Sequence, residues 1–429
     1  MAWAETCSMK QKARFCMAWE AGEVSMSELC RRFGVSRKAG YAALARWRLE
    51  GPAGLAERSH APHRCPHALS KKVRKAIIGL RRLQPTWGPK KVKRWLELKR
   101  PDVVWPAAST IGDLLSRVGL SARRKRRRHV PPRTAPLAHC QGANDVWSVD
   151  FKGWFRTGDG RRCDPLTIQD QASRYLIRVV AVDGLGSEHV WPIFDAAFRE
   201  FGLPKSVRSD NGPPFASTGA GGLSALSVRL VKAGVIPERI APASPQQNGR
   251  LERLHLTLKQ DTASPPAASC DAQARRFRRF CRVYNEERPH EALGMAVPAS
   301  LYVPSTRAWS GRLRPPEYAS GVAVRRVRAN GEIKWRGELV WISSLLVGEP
   351  VGIEEGEDGL WQVWFGPVLL GTLGAPQNGW RIVLPIMPDR VVTHHPDCTL
   401  AARHLSTRRK VQRRSQLSRK TRSPTATPT

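Results

Sequence analysis

At 429 residues and 41% apolar content, the chain is long enough for about three domains with sizeable cores. Its 71 Lys and Arg against 36 Asp and Glu leave a net charge of +35, which calls for a polyanionic partner, nucleic acid first and an anionic membrane surface second. The most apolar stretches, such as "LVWISSLLV" at 339–347, fall well short of the ~18 residues of a membrane span.

No signal-peptide core opens the chain, and nine cysteines without a CxxC pair read as reduced thiols, so a cytosolic location is expected.

The first helix is predicted from about Lys10 to Ala21. In "MSELCRRFGVSRKAGYAALARWRLEG", Ser27 is placed to cap a short helix carrying Leu29 and Phe33, and Gly34 suits the turn after it. Ser36 is placed to cap a second helix with Tyr41, Leu44 and Trp47 at helical spacing. Helix, glycine turn and helix form the pattern of a helix-turn-helix, whose second helix enters the major groove of double-stranded DNA. Ser36, Arg37, Lys38 and Gly40 would stand at its reading end. An ordinary helical hairpin is the competing explanation, and the net charge favours DNA. We assign this domain to residues 1–58.

A linker at 59–69 contains "HAPHRCPH". His60, His63, Cys65 and His67 are zinc-ligand types, but irregular spacing and two prolines favour a linker over a metal site. Residues 70–122 predict a second helical, winged-helix-like DNA-binding unit, with a plain helical spacer as the alternative. Val73, Ile77, Ile78 and Leu80 mark its first helix, Pro89 lies near the first turn of its second, and Ser109 or Thr110 is placed to cap its third. Residues 123–143 are a basic linker in which "RRKRRR" is too charged to pack and suited to phosphates.

Residues 144–305 change texture to a mixed α/β sheet with helices on both faces. "DVWSVDFKGWF" alternates Trp147, Val149 and Phe151 against Ser148, Asp150 and Lys152, which predicts a strand. Two more strands surround a turn near Gln171–Ser173, and a helix follows despite Pro192, taken to lie near its start. "PKSVRSDNG" is a short strand ending in a turn, and "SPQQNGRLERLH" opens a helix with Leu251, Leu254 and Leu258 on its buried stripe. Residues 306–375 alternate apolar and polar positions with Asn-Gly and Asp-Gly turns, predicting a small all-β, barrel-like domain. In the tail, 376–429, the stretch from Ala401 has nine Lys or Arg and no acid, and disorder is expected there.

Three carboxylates in the α/β domain stand apart. Asp150 lies on the polar face of the first strand, Asp210 ends the fourth, and Glu252 opens a late helix off its apolar stripe. Taken singly, Asp210 is explained by an Asp-Asn-Gly turn and Glu252 by a solvated helix N-terminus. Together, three such groups at one sheet edge would repel each other unless cations lay among them, and carboxylate oxygens suit Mg²⁺ or Mn²⁺.

With "WSVDFKG", "RSDNGPPFAS", "SPQQNGRLERLH" and "YNEERPHEAL" in this order, the sequence resembles the DDE transposases of bacterial insertion sequences, whose core is shared with retroviral integrases. The resemblance spans roughly residues 6–375, with helix-turn-helix units before the core and a small β domain after it. It implies an RNase H-like core in which Asp150, Asp210 and Glu252 bind two ions of Mg²⁺ or Mn²⁺. Fifty-nine residues separate the aspartates, and 41 separate Asp210 from Glu252. The second interval is longer than in retroviral integrases, with the surplus placed in a loop at "STGAGGLS".

The resemblance further makes Gln247, Asn248 and Gly249 a polar catalytic loop, with Gly249 letting the chain turn into the helix, and puts Arg250, His255 and Lys259 on DNA phosphates. The implied reaction is phosphoryl transfer with two ions ~4 Å apart, first cleaving at the element's ends and then joining the 3′-hydroxyl to target DNA, in a homo-multimer. Three other readings compete: a regulator with a catalytically inactive core, a metal nuclease on the same core, and a scaffold without a site.

Overall fold

The computed structural model describes residues 8–57, 68–121, 139–241, 248–356, 359–374 and 380–384. The histidine and cysteine group at 60–67, the basic run at 123–128, Gln247 and the tail beyond 384 lie outside the described residues. The chain divides into two compact units, one ending at Ser70 and one beginning at Lys71.

In the first unit, α1 (Ser8–Glu20), α2 (Met26–Arg32) and α3 (Arg37–Glu50) close around Phe15, Cys16, Leu29, Ala43 and Leu44. Gly34, at φ +65°, makes the turn between α2 and α3. Ser25, not Ser27, caps α2 by accepting the Glu28 N–H at 3.3 Å. Ser36 caps α3 as expected, accepting the Ala39 N–H at 3.2 Å. Gly40 corrects the sequence reading, because it faces inward. A Cβ there would stand 2.7 Å from Phe15 Cζ and 2.9 Å from Cys30 Sγ.

The second unit begins with α4 (Lys71–Leu83), α5 (Pro89–Lys99) and α6 (Ala108–Arg117), which bury Ile77, Leu80, Trp87, Val92, Leu96, Ile111 and Leu115. Pro89 occupies the first turn of α5, while Ala107 takes the cap position of α6 in place of Ser109 or Thr110. No strand occurs among the described residues of 68–121, so the winged-helix expectation finds no wing. These helices meet the core: Arg288 Nη1 donates to Thr86 Oγ1 at 3.3 Å, and Lys90 lies 3.8 Å from Glu291.

The central sheet is built from β1 (Val146–Phe151), β2 (Phe155–Arg156), β3 (Arg162–Asp170), β4 (Leu176–Val182), β5 (Ser206–Ser209) and β6 (Ile236–Arg239). β3 pairs antiparallel with β1 on one side and β4 on the other, with β2 joined near its start. β5 and β6 extend the sheet in parallel beyond β1. Asp170 closes the β3–β4 turn, its Oδ1 accepting from the Ser173 N–H at 2.8 Å and hydroxyl at 2.6 Å.

Alternation along β1 sends Trp147 and Val149 to one face, where α7 (Ser187–Phe201) and α8 (Ala225–Lys232) cover them with Phe194, Phe198, Leu226 and Leu230. Each such side chain contributes roughly 1.5–3 kcal/mol on burial. Pro192 lies in the sixth position of α7, beyond the first turn, and the helix runs on past it. The opposite face receives α9 (Gly249–Thr262) and α10 (Cys270–Arg282), through Leu251, Leu254, Leu258, Phe277 and Phe280.

The C-terminal part is not a closed barrel. It consists of an open five-stranded sheet, in the order β13 (Ile382–Val383), β12 (Val368–Leu373), β11 (Trp361–Phe365), β10 (Pro350–Glu355) and β7 (Ala323–Arg326). A separate hairpin pairs β8 (Glu332–Trp335) with β9 (Glu338–Trp341). The glycine-rich surplus at 217–224 is packed: Ala220 and Leu223 join the core of this β part, and Arg239 Nη2 donates to Gly221 O at 2.6 Å.

Gly40→Ala tests the inward packing of α3. The helix gains intrinsic propensity of about 1 kcal/mol, but overpacking against Phe15 and Cys30 costs about 1–3 kcal/mol. We expect faster hydrogen exchange across α1–α3 with no change in the second unit. Unchanged or greater protection in α1–α3 would place Gly40 at the surface instead.

Candidate active site

The site is set by the register of two parallel strands. Ser148 of β1 pairs with Arg208 of β5, so two residues further on Asp150 and Asp210 come side by side at the strand ends. Period-two alternation puts Asp150 on the face opposite Trp147 and Val149, under α9. Glu252 projects from the first turn of α9 on its exposed side.

Electrostatics ties the three together. Burial, followed by the charges of Asp210 and Glu252, pushes the Asp150 carboxyl up to about 7, against the pull of the Phe151 N–H. Burial also raises Asp210, opposed by the Gly212 N–H. Asp210 Oδ1 is buried with no hydrogen-bond partner. Among the described residues no three His, Cys, Asp or Glu side chains stand close enough to share one ion. The strand-end pair nonetheless fits a divalent cation, because an orphaned carboxylate oxygen and crowded negative charge are what such an ion would satisfy.

Two side chains of the α9 segment stand over Asp150. Asn248 sits at the cap position of α9 without capping it, and its Nδ2 faces Asp150 Oδ2 at 3.4 Å. His255 Nδ1 lies 3.9 Å from the same oxygen. The other ring nitrogen, Nε2, is 2.7 Å from Thr167 Oγ1, and that hydroxyl lies 3.1 Å from the Asp150 carbonyl oxygen. Thr167 is the cross-strand partner of Asp150, so imidazole, hydroxyl and backbone form one short relay behind the carboxylate.

Several expected phosphate contacts are therefore engaged elsewhere. His255 is 9% exposed, and burial followed by the Lys152 charge holds its pKa down to about 4, so it is neutral and turned inward. Arg250 Nη1 donates to Gln171 O at 2.8 Å, fastening α9 to the β3–β4 turn. Gly249 has open space around its α-carbon and no left-handed backbone, so its place does not demand glycine.

Lys259 is exposed on α9. Its charge reaches Lys152, whose ammonium is lowered first by burial and then by Lys259. Lys152 and Thr167 are the site residues that the sequence reading passed over. The alternation that singled out Asp150 also puts Lys152 on its face, whereas nothing local marks Thr167. In the first unit Ser36, Arg37 and Lys38 are exposed at the start of α3.

Known families match along the chain in this order: a helix-turn-helix domain at 11–63, a homeodomain-like domain at 39–115, an integrase core domain at 233–298 and the C-terminal domain of IS481 family transposases at 322–377. These matches support an insertion-sequence transposase with an integrase-type core. It is 32% identical over 190 residues to the insertion element IS407 uncharacterized 31.7 kDa protein of Burkholderia multivorans, covering 44% of this chain and 66% of that one. It is 31% identical over 180 residues to the insertion element IS476 uncharacterized 39.2 kDa protein of Xanthomonas euvesicatoria, covering 42% and 50%. The chain thus spans between half and about two thirds of these relatives' lengths.

Among solved structures, the HTLV-2 integrase catalytic core domain in complex with magnesium matches at 14% identity and TM-score 0.30, over 38% of this chain and 98% of that one. The simian T-cell lymphotropic virus intasome in complex with a PP2A regulatory subunit matches at 15% and 0.34, over 72% and 99%. Among the described residues, no helix is long and apolar enough to cross a membrane.

The raised Asp150 carboxyl predicts a pH-dependent stability. Its folded pKa of about 7 lies above the ordinary 3.8, so its contribution is fully present below about 4 and is lost as pH rises through about 7. In metal-free buffer Asp150→Asn should therefore unfold at a higher temperature than the wild type at pH 8. The gain should grow between pH 4 and 7 and then level off, at up to a few kcal/mol. A difference that does not change with pH would show that Asp150 is not under this strain.

Proposed function

We propose that the chain is a DDE-type polynucleotidyl transferase that cleaves DNA at the ends of its own element and joins the freed 3′-hydroxyl to target DNA. The observation that carries the reading is the meeting of Asp150 and Asp210 at adjacent strand ends, with the Glu252 charge reaching Asp150 from α9. Asp150, Asp210 and Glu252 would hold two Mg²⁺ or Mn²⁺ ions. Bound there, the ions would supply Lewis-acid activation of the attacking oxygen and stabilisation of the leaving one.

The chain's own groups prepare this chemistry. Asn248 faces the Asp150 carboxylate, and the His255–Thr167 relay reaches the Asp150 backbone carbonyl behind it. Lys152 and Lys259 lay positive charge beside the strand ends, suited to phosphates flanking the scissile bond. Water attack on a phosphodiester releases a 3′-hydroxyl and leaves a 5′-phosphate. That hydroxyl then attacks a target phosphodiester, forming one P–O bond as the bond to the target strand's own 3′ oxygen breaks; the attacking hydroxyl's proton passes through solvent to that leaving oxygen. Bond count is conserved in the joining step, so no external energy source is needed.

Double-stranded DNA is the substrate in this reading. Ser36, Arg37 and Lys38 would meet base edges at the start of the recognition helix, and the net charge of +35 would supply the phosphate contacts. Two DNA ends must be joined together, which calls for a homo-multimer working on DNA in the bacterial cytoplasm.

The test uses labelled DNA from the ends flanking the protein's own gene, with Mg²⁺ or Mn²⁺. Wild type should cleave and join, while Asp150→Asn and Glu252→Gln should lose at least about a hundredfold in rate and keep their DNA affinity within about twofold. Binding by wild type without any cleavage would instead support a regulator with an inactive core.

A further inference from the structure

The open sheet of the C-terminal part carries a cavity unrelated to the carboxylates. Glu355 pairs with Trp361 across β10 and β11, and Arg325 lies on the neighbouring strand β7. The β8–β9 turn adds Trp335 and Arg336, and together these residues border an open cavity of about 630 Å³.

Its walls are ring faces and guanidinium groups. The Trp335 and Trp361 rings lie 5.1 Å apart at 57°. The Arg336 guanidinium is 4.9 Å from the Trp361 ring centre, 5.9 Å from that of Trp335 and 5.8 Å from that of Trp380. Arg325 lies 5.6 Å from the Trp335 ring. Arg336 holds a left-handed backbone at φ +46°, a conformation that disfavours a side chain, while Gly337 takes φ +92° next to it. An asparagine or glycine would fit that turn more easily, and what arginine adds is the guanidinium over the tryptophans.

We propose that this cavity receives unpaired bases of single-stranded DNA. Aromatic and guanidinium faces stack any base, but a duplex keeps its base faces covered and offers only edges. Glu355, exposed at the cavity, repels phosphate and accepts from the exocyclic amino groups of cytosine, adenine or guanine. The base therefore enters and the backbone stays at the rim, where Arg325 can meet it. Thymine has no such amino group, so strands rich in it bind less well. This function is independent of the carboxylate site and of cleavage.

The experiment measures fluorescence anisotropy of the full chain in metal-free buffer at roughly 0.3 M salt, where plain phosphate contacts weaken. The probes are a labelled strand of about ten deoxycytidines, the same length of thymidines, and a blunt duplex of that length. Arg336→Gly keeps the turn, because glycine accepts the left-handed backbone, and Trp361→Ala removes a stacking face. Each should lower affinity for the deoxycytidine strand about 5- to 100-fold, the range expected for one stacked base, and leave duplex affinity within about twofold. Glu355→Ala removes the acceptor and should erase the preference for deoxycytidine over thymidine.

Equal losses on strand and duplex, or no loss in either variant, would overturn the proposal. If Trp361→Ala unfolds the β part, judged by thermal unfolding, the outcome for Arg336→Gly decides. A protein inactive in cleavage would still give the expected result here.

Discussion

The repulsion between Asp150 and Asp210 is the constraint around which the core is arranged. Parallel pairing of β1 with β5 brings two carboxylates together where strand ends leave little else to neutralise them. Burial deepens the penalty and lifts Asp150 to about 7. The fold tolerates this because everything behind the pair is well packed. Trp147 and Val149 anchor the far side of β1 in an extensive apolar cluster, with Phe194 and Phe198 across from them. Stability lodged in that layer lets the opposite face keep an unsatisfied oxygen on Asp210.

The face under α9 divides its polar groups into two roles. His255, Asn248 and Arg250 point back into the protein and fix either Asp150 or the β3–β4 turn. Lys152 and Lys259 remain where a charged ligand could approach. A helix that also buries Leu251, Leu254 and Leu258 cannot shift without moving all of these at once. Glu252, exposed in the first turn of α9, retains its rotamer freedom.

The C-terminal sheet depends on the same core in a different way. Ala220 and Leu223 from the glycine-rich segment, with Val228 and Val231 of α8, enter its apolar cluster. Lys232 of α8 also pairs with Glu349 of the β part. The extra residues between Asp210 and Glu252 thus form a seat for the following domain. A small open sheet gains a covered face without having to close on itself.

Much of this was legible from the residues in order. Strict alternation in "WSVDFK" and leucines at helical spacing around Glu252 are local patterns, because a strand or helix must bury one face whatever surrounds it. Those patterns placed Asp150, Asp210 and Glu252 on their elements and separated the helical, α/β and β textures. Tertiary structure decided what each polar side chain does, because side-chain partners come from distant segments. His255 and Arg250 look like free basic groups until Thr167 and Gln171 arrive from β3 and the turn after it. Gly40 looks like part of a reading surface until Phe15 and Cys30 close on it. Sheet closure likewise depends on pairing between remote strands, which alternation cannot report, so a pattern compatible with a barrel folded as an open sheet.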